Sequence, residues 1–157
     1  ILAAEQAVEV VDKPIAVIPS KSIPQGISAL LYYNQAQGLE ENKEHMIEGL
    51  GAIKTGQVTY SIRDTKLENL DINEGDYIGL ANNKIIINDN DLLDTAFKLL
   101  DEMIEEEDEI LTIIYGEDVT EDQVEELNDR VQAAYPDLEI EIHNGMQPIY
   151  NFIFGIE

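Results

Sequence analysis

The stretch SKSIPQG, residues 20 to 26, is where this chain comes nearest to phosphate chemistry. A helix opening there would present unpaired backbone N–H groups beside one ammonium, that of Lys21, which is the minimum of an anion cradle. Neither the GxxxxGK of a P-loop nor a GxGxxG after a strand occurs anywhere in the chain. The same residues also read as a plain helix start, and that reading is favoured. Ser22 and Gln25 have the spacing of a capping box, and Pro24 falls in the first turn, where an N–H has no intrahelical partner to lose.

Other residues able to do chemistry are few. Of the two histidines, His45 lies in a charged helical stretch and is expected to face solvent. His143 closes a strand and has no companion at metal-ligand spacing. Without cysteine there is no disulfide framework, no thiolate metal site and no thiol nucleophile. DEMIEEEDE, 101 to 109, holds seven acids, yet it lacks the alternating oxygen ligands and central glycine of a calcium loop. It is expected to be a solvated helix end that frays, because its charge opposes the macrodipole. Arg63 and Asp64 form an adjacent ion-forming pair after a strand, suited to anchoring a loop or meeting a partner. In the pair Tyr32-Tyr33, an exposed ring would suit an interface anchor. Nothing assembles a nucleophile, base and orienter, so no catalytic residue and no metal site is expected.

Charge narrows the partners. Thirty-three acidic residues against nine basic ones give a formal net charge of −24, which repels nucleic acid and anionic lipid surfaces. No apolar run approaches the roughly 20 residues of a membrane span, and no leader pattern is present. The chain is expected to be cytoplasmic, with no nucleic-acid partner and no membrane insertion. It begins at Ile1 in what reads as a helix already under way, so it is expected to be a piece of a longer protein whose preceding strand is missing.

The elements that must position these residues follow from periodicity. PIAVIP, 14 to 19, is an apolar run between prolines, the pattern of a buried strand. Ile23, Ile27, Leu30 and Leu31 make one apolar helical stripe, and a second helix runs from about residue 40 to 54 with Met46, Ile47, Leu50 and Ile53 on one side. QVTYSIRDT alternates as a strand. YIGLA and KIIIN, joined by Asn82-Asn83, form a tight hairpin. DLLDTAFKLLDEMIEEED is a helix, EILTIIYG a buried strand, and Thr120 with Gln123 caps a helix that Pro136 stops. LEIEIHNG and IYNFIFGIE close the chain as strands. Strands alternating with helices predict an α/β protein. A turn at 64 to 73 divides it into lobes of residues 1–66 and 67–157.

PSKSIPQGISALLYYN, IKTGQVTYSIRDT, EGDYIGL, YGEDVTE and GMQPIYNFIFGIE, in that order, resemble the C-terminal region of the large subunit of bacterial fatty acid kinase, a family related to dihydroxyacetone kinase. The element order is also similar to that of DegV-like fatty-acid-binding proteins, the carrier subunits of this kinase system. The resemblance implies a two-lobed DegV-like α/β fold, truncated at its N-terminus. It implies a parent enzyme that phosphorylates a fatty-acid carboxylate with ATP and magnesium held by an N-terminal domain, in the service of phospholipid synthesis.

Departures from the carrier pattern shape the functional expectation. DegV-like carriers hold the carboxylate with an upstream serine and threonine motif, an arginine after the hairpin and a histidine near the end. Here the hairpin ends KIIINDN without arginine, and the terminal turn reads NGMQPIYN without histidine. A carboxylate buried without donors or a cation is costly, so lipid binding in the carrier's manner is not expected. The chain is therefore expected to be a non-catalytic module, without a cofactor of its own, that docks the DegV-like carrier. Lys21, Ser22, Gln25, Tyr33, Arg63 and Asp64 are the candidate contacts, being polar or aromatic at element ends. The alternatives are a small-ligand site, acyl or anionic, at the SKSIPQG corner, and a structural or dimerising role beside the ATP-binding domain.

Overall fold

The computed structural model describes residues 1–67 and 70–157. Glu68 and Asn69, inside the expected dividing turn, lie outside the described residues. The chain separates into two compact units, 1–53 and 54–157. This division comes earlier than the expected one at residue 66, because the strand that follows Ile53 is hydrogen-bonded along both edges to later strands.

The first unit is helical: α1 (Leu2–Glu9), α2 (Ile23–Leu31) and α3 (Leu39–Gly49). Helix α2 starts where the sequence indicates. Ser22 is its N-cap in extended conformation, its hydroxyl accepts from Gln25 N at 3.2 Å, and the Gln25 side chain accepts from Lys21 N at 2.9 Å. Small residues make the contact with α3: Ser28 and Ala29 are buried, and Ser28 Oγ donates to Gly49 O at 2.8 Å. Asn42 fixes the loop between these helices. Its Oδ1 accepts from Asn34 N at 2.8 Å, while its Nδ2 is shared among the carbonyls of Asn34, Gln37 and Gly38.

The structure refines the sequence reading of this unit at three points. Residues 14–19 form no strand. The bounding prolines have no N–H to give a ladder. The stripe of α2 is real but faces outward, with Ile23, Ile27, Leu30 and Leu31 exposed by 51, 50, 64 and 73%. The helix packs on α3 through its small residues because Ser28, Ala29 and Gly49 let the backbones approach closely. Helix α3 also ends at Gly49, earlier than expected, since glycine is a poor helix residue and two more follow at 51 and 56.

The second unit is a six-stranded sheet in the order β5-β4-β1-β8-β6-β7. Its strands are β1 (Lys54–Tyr60), β4 (Tyr77–Ala81), β5 (Lys84–Asp89), β6 (Ile110–Tyr115), β7 (Glu139–Asn144) and β8 (Phe152–Ile156). Among the described strands, only β6 and β7 pair in parallel. A separate ribbon joins β2 (Thr65–Leu67) to β3 (Leu70–Ile72). The expected hairpin forms, with Asn82 and Asn83 at φ 48° and 68°, the left-handed pair a two-residue turn requires.

Helices α4 (Leu92–Met103) and α5 (Glu121–Ala134) bury Leu99, Leu100, Leu127 and Val131 together with Val58, Leu111, Ile113 and Phe154. Residues 105–109 do not extend α4 as a fraying end. Ile104 leaves the helix in extended conformation, and Asp108 turns back to accept from Glu105 N at 2.7 Å. Among the described residues, no helix is long and apolar enough to cross a membrane.

Candidate functional site

The residues singled out in the sequence fall into two groups. Lys21, Ser22, Gln25 and Tyr33 belong to the first unit, and Arg63 and Asp64 to the second. Ser22 and Gln25 are occupied in capping α2, as are the backbone N–H groups they engage. Lys21 and Tyr33 are exposed at the two ends of α2, and the outward stripe runs between them. Asp64 is a loop anchor: its Oδ1 accepts from Glu74 N at 2.8 Å. Arg63 is exposed, and its carbonyl accepts from Ser61 Oγ at 2.7 Å.

The histidines take part in local pairs. His45 is half-buried, not solvent-facing, with Nδ1 3.0 Å from Gln37 Oε1. His143 Nε2 lies 3.7 Å from Glu141 Oε2 on an exposed strand. Among the described residues, no three His, Asp or Glu side chains are gathered to hold a metal ion.

Acid chemistry dominates the described clefts of the second unit. One, of about 400 Å³ and open to solvent, is lined by Glu105, Glu106, Asp108 and Asp137 around Ile104, Tyr135 and Pro136. Another, of about 320 Å³, has Asp64 and Asp71 beside Lys66. Near the first, Lys54 Nζ reaches Asp108 Oδ2 at 2.7 Å and Glu105 Oε2 at 2.9 Å. Burial alone would lower its pKa, but these two carboxylates outweigh burial and hold it above its ordinary value. Tyr135 donates to Asp101 Oδ1 at 2.7 Å. Its pKa is pushed up to about 12, by burial first and then by that carboxylate. At the sheet's other end Lys98 pairs with Asp89 and, with the N–H of Asp91, holds that carboxyl below the usual range.

Sequence reasoning passed over one constellation, the loop between β7 and β8. Residues 145–151 cross the ends of β6 and β1 and are pinned on both sides. Gly116 N donates to Asn151 O at 2.9 Å, Glu117 N to Gln147 O at 3.1 Å, and Asn151 N to Val58 O at 2.8 Å. Thr59 Oγ1 donates to Ile149 O at 2.7 Å, and Gln147 Nε2 donates to Ile114 O and Tyr150 O at 3.1 and 3.3 Å. The fit is close enough that a Cβ on Gly116 would stand 2.4 Å from Tyr150 O. Met146 and Ile149 take φ of 52° and 74°, values that residues other than glycine and asparagine rarely adopt. Gln147 Oε1 and Asn151 Oδ1 are buried without a hydrogen-bond partner. The available signal was compositional: Asn144-Gly145 and Pro148 mark a turn, and Met146 and Ile149 are large apolar residues in it.

Known proteins resemble this chain in sequence and in fold. The model of the FakA-like C-terminal family, which describes the C-terminal part of fatty acid kinase A-like subunits, matches residues 1–157. Protein YloV of Bacillus subtilis is 46% identical over all 157 residues, which make up 28% of its length. An uncharacterized protein of Staphylococcus saprophyticus is 43% identical over the same span, again 28% of its length. The chain thus spans little more than a quarter of these relatives.

In fold it is similar to a DegV family protein of Corynebacterium glutamicum, at 12% identity and a TM-score of 0.64, over 99% of this chain and 68% of that one. The fatty acid kinase B3 protein of Streptococcus pneumoniae, solved loaded with linoleic acid, is similar at 15% identity and a TM-score of 0.51, over 78% and 50%. The DegV-like α/β fold is therefore that of this chain.

Proposed function

Because this chain belongs to the FakA-like C-terminal family of fatty acid kinases, we propose that it docks a DegV-like, fatty-acid-loaded carrier protein within a larger kinase. It does so without catalytic groups of its own. The observation that carries this reading is the contrast between its fold and its clefts. A protein of the same fold was solved with linoleic acid. Here the described clefts are rimmed by Glu105, Glu106, Asp108 and Asp137, or by Asp64 and Asp71 with Lys66, whose ammonium is paired with Asp71 at 3.0 Å. Carboxylates repel a fatty-acid head group, which calls for a cation or hydrogen-bond donors. A carrier's shape without a carrier's ligand chemistry suits recognition of the carrier.

Phosphoryl transfer to a carboxylate gains most of its rate from positioning, so a docking module serves the reaction by bringing the bound fatty acid to ATP. ATP and magnesium then belong to an N-terminal domain of the parent, where the phosphoryl group passes to the carboxylate oxygen. Titration of the fatty-acid-loaded carrier into this chain by calorimetry tests the reading. Binding that weakens with salt supports it, and absence of binding by the folded parent protein contradicts it.

A second reading, bracing or dimerisation, is favoured by one observation. The α2 stripe is exposed, and α1 has no buried residue. Such a face fits another part of the parent or a second copy. A stable dimer in sedimentation, formed without carrier, would support this second role.

A further inference from the structure

The loop at 145–151 displays two apolar side chains at a cost to its own backbone. Met146 and Ile149 are 65 and 61% exposed, so neither is held at positive φ by burial of its side chain. For Ile149 the conformation is especially unfavourable, since a β-branched residue crowds its own backbone there. Strain of this kind persists only where the surroundings impose it, and it concentrates at functional positions. The surroundings here are the hydrogen bonds from Gly116, Glu117, Thr59 and Asn151, which grip the loop's backbone and leave the two side chains outside.

Acidic residues border the loop. Glu117 and Asp118, both exposed, flank the loop through the bond from Glu117 N to Gln147 O. The chain from 131 to its end contains neither lysine nor arginine. Rigid apolar anchors with an acidic border fit a partner surface of opposite character.

We propose that this loop is a docking knob, with Met146 and Ile149 entering an apolar socket on a partner protein whose rim carries lysine and arginine. The assignment rests on the docking reading and locates its contact: the socket belongs to the DegV-like carrier. Pre-organisation explains the strain, because a loop already in its binding conformation loses little freedom on association. The buried oxygens of Gln147 and Asn151 leave unused acceptors within the same loop.

Glycine substitutions separate display from architecture. Met146→Gly and Ile149→Gly remove the anchors and relieve the backbone, so their melting temperatures should equal or exceed that of the unaltered chain. Their affinity for purified carrier, by calorimetry, should fall about tenfold or more. Ile149→Asn, which also accepts the left-handed conformation, should weaken binding similarly. Unchanged affinity in these variants, with the unaltered chain binding normally, overturns the knob and leaves the docking reading standing. A lowered melting temperature in both glycine variants also overturns it, since the side chains would then support the fold. If neither the unaltered chain nor the parent binds the carrier, the docking reading fails, and the knob with it.

Discussion

The Lys54 ammonium stands 2.7 Å from the Asp108 carboxylate, tying the first residue of β1 to the turn that follows α4. The Asp108 side chain is only 7% exposed, so removing its partner leaves a nearly buried charge. Lys54→Met should destabilise the chain by about 1–2 kcal/mol, read from a urea midpoint, a range kept low because Lys54 itself meets solvent. With its pKa raised, the lysine stabilises fully below its ordinary value of 10.5 and loses that contribution as pH climbs through the folded value.

Tyr135 supplies a second alkaline signature. In the unfolded chain it ionises near 10.0, and in the fold near 12, so the folded state holds the proton more tightly. Its contribution is complete below pH 10 and is lost between 10 and 12. The stability difference between the unaltered chain and Tyr135→Phe, measured by urea unfolding at steps across that window, should shrink as pH rises. A constant difference would mean that burial and the Asp101 carboxylate do not raise this tyrosine's pKa in the fold.

Asn42 holds the α2–α3 loop through four backbone partners while 6% exposed. Replacing it with alanine abandons Asn34 N and several carbonyls. A loss of about 1–3 kcal/mol is expected, together with faster amide exchange over residues 34–38. Exchange equal to that of the unaltered chain would remove Asn42 from this role.

The corner at 20–26 can be sorted by mutation into cap and surface. Ser22→Ala should cost about 1 kcal/mol, since the hydroxyl caps α2. Lys21→Ala should change stability by less than about 0.5 kcal/mol, because its side chain is exposed. Carrier affinity measured on both variants decides whether the corner also touches the partner.

Much of the second unit was legible because its signals are local and agree. Asn82-Asn83 demanded a left-handed turn, Thr120 and Gln123 formed their capping box at 3.0 and 3.3 Å, and Pro136 stopped α5. Tertiary choice decided the rest. Periodicity found the α2 stripe, yet it could not tell that Ser28, Ala29 and Gly49 would make the contact with α3 and leave Ile27 and Leu31 outside. An apolar run reads as a strand until its pairing is known, and residues 14–19 show the difference. The candidate contacts Ser22 and Asp64 proved to be a cap and a loop anchor, uses that short polar side chains serve wherever a backbone N–H needs a partner. The loop at 145–151 was hidden because its positive φ falls on Met146 and Ile149, residue types that do not signal it, and because a buried orphan oxygen leaves no mark in the sequence.

Calorimetric titration of a purified, fatty-acid-loaded DegV-like carrier into this chain, at low and high salt, tests the central claim most directly. The account predicts saturable binding of modest affinity, as befits a carrier that must also leave, and weakening with salt. Absence of binding by both this chain and its folded parent would contradict it.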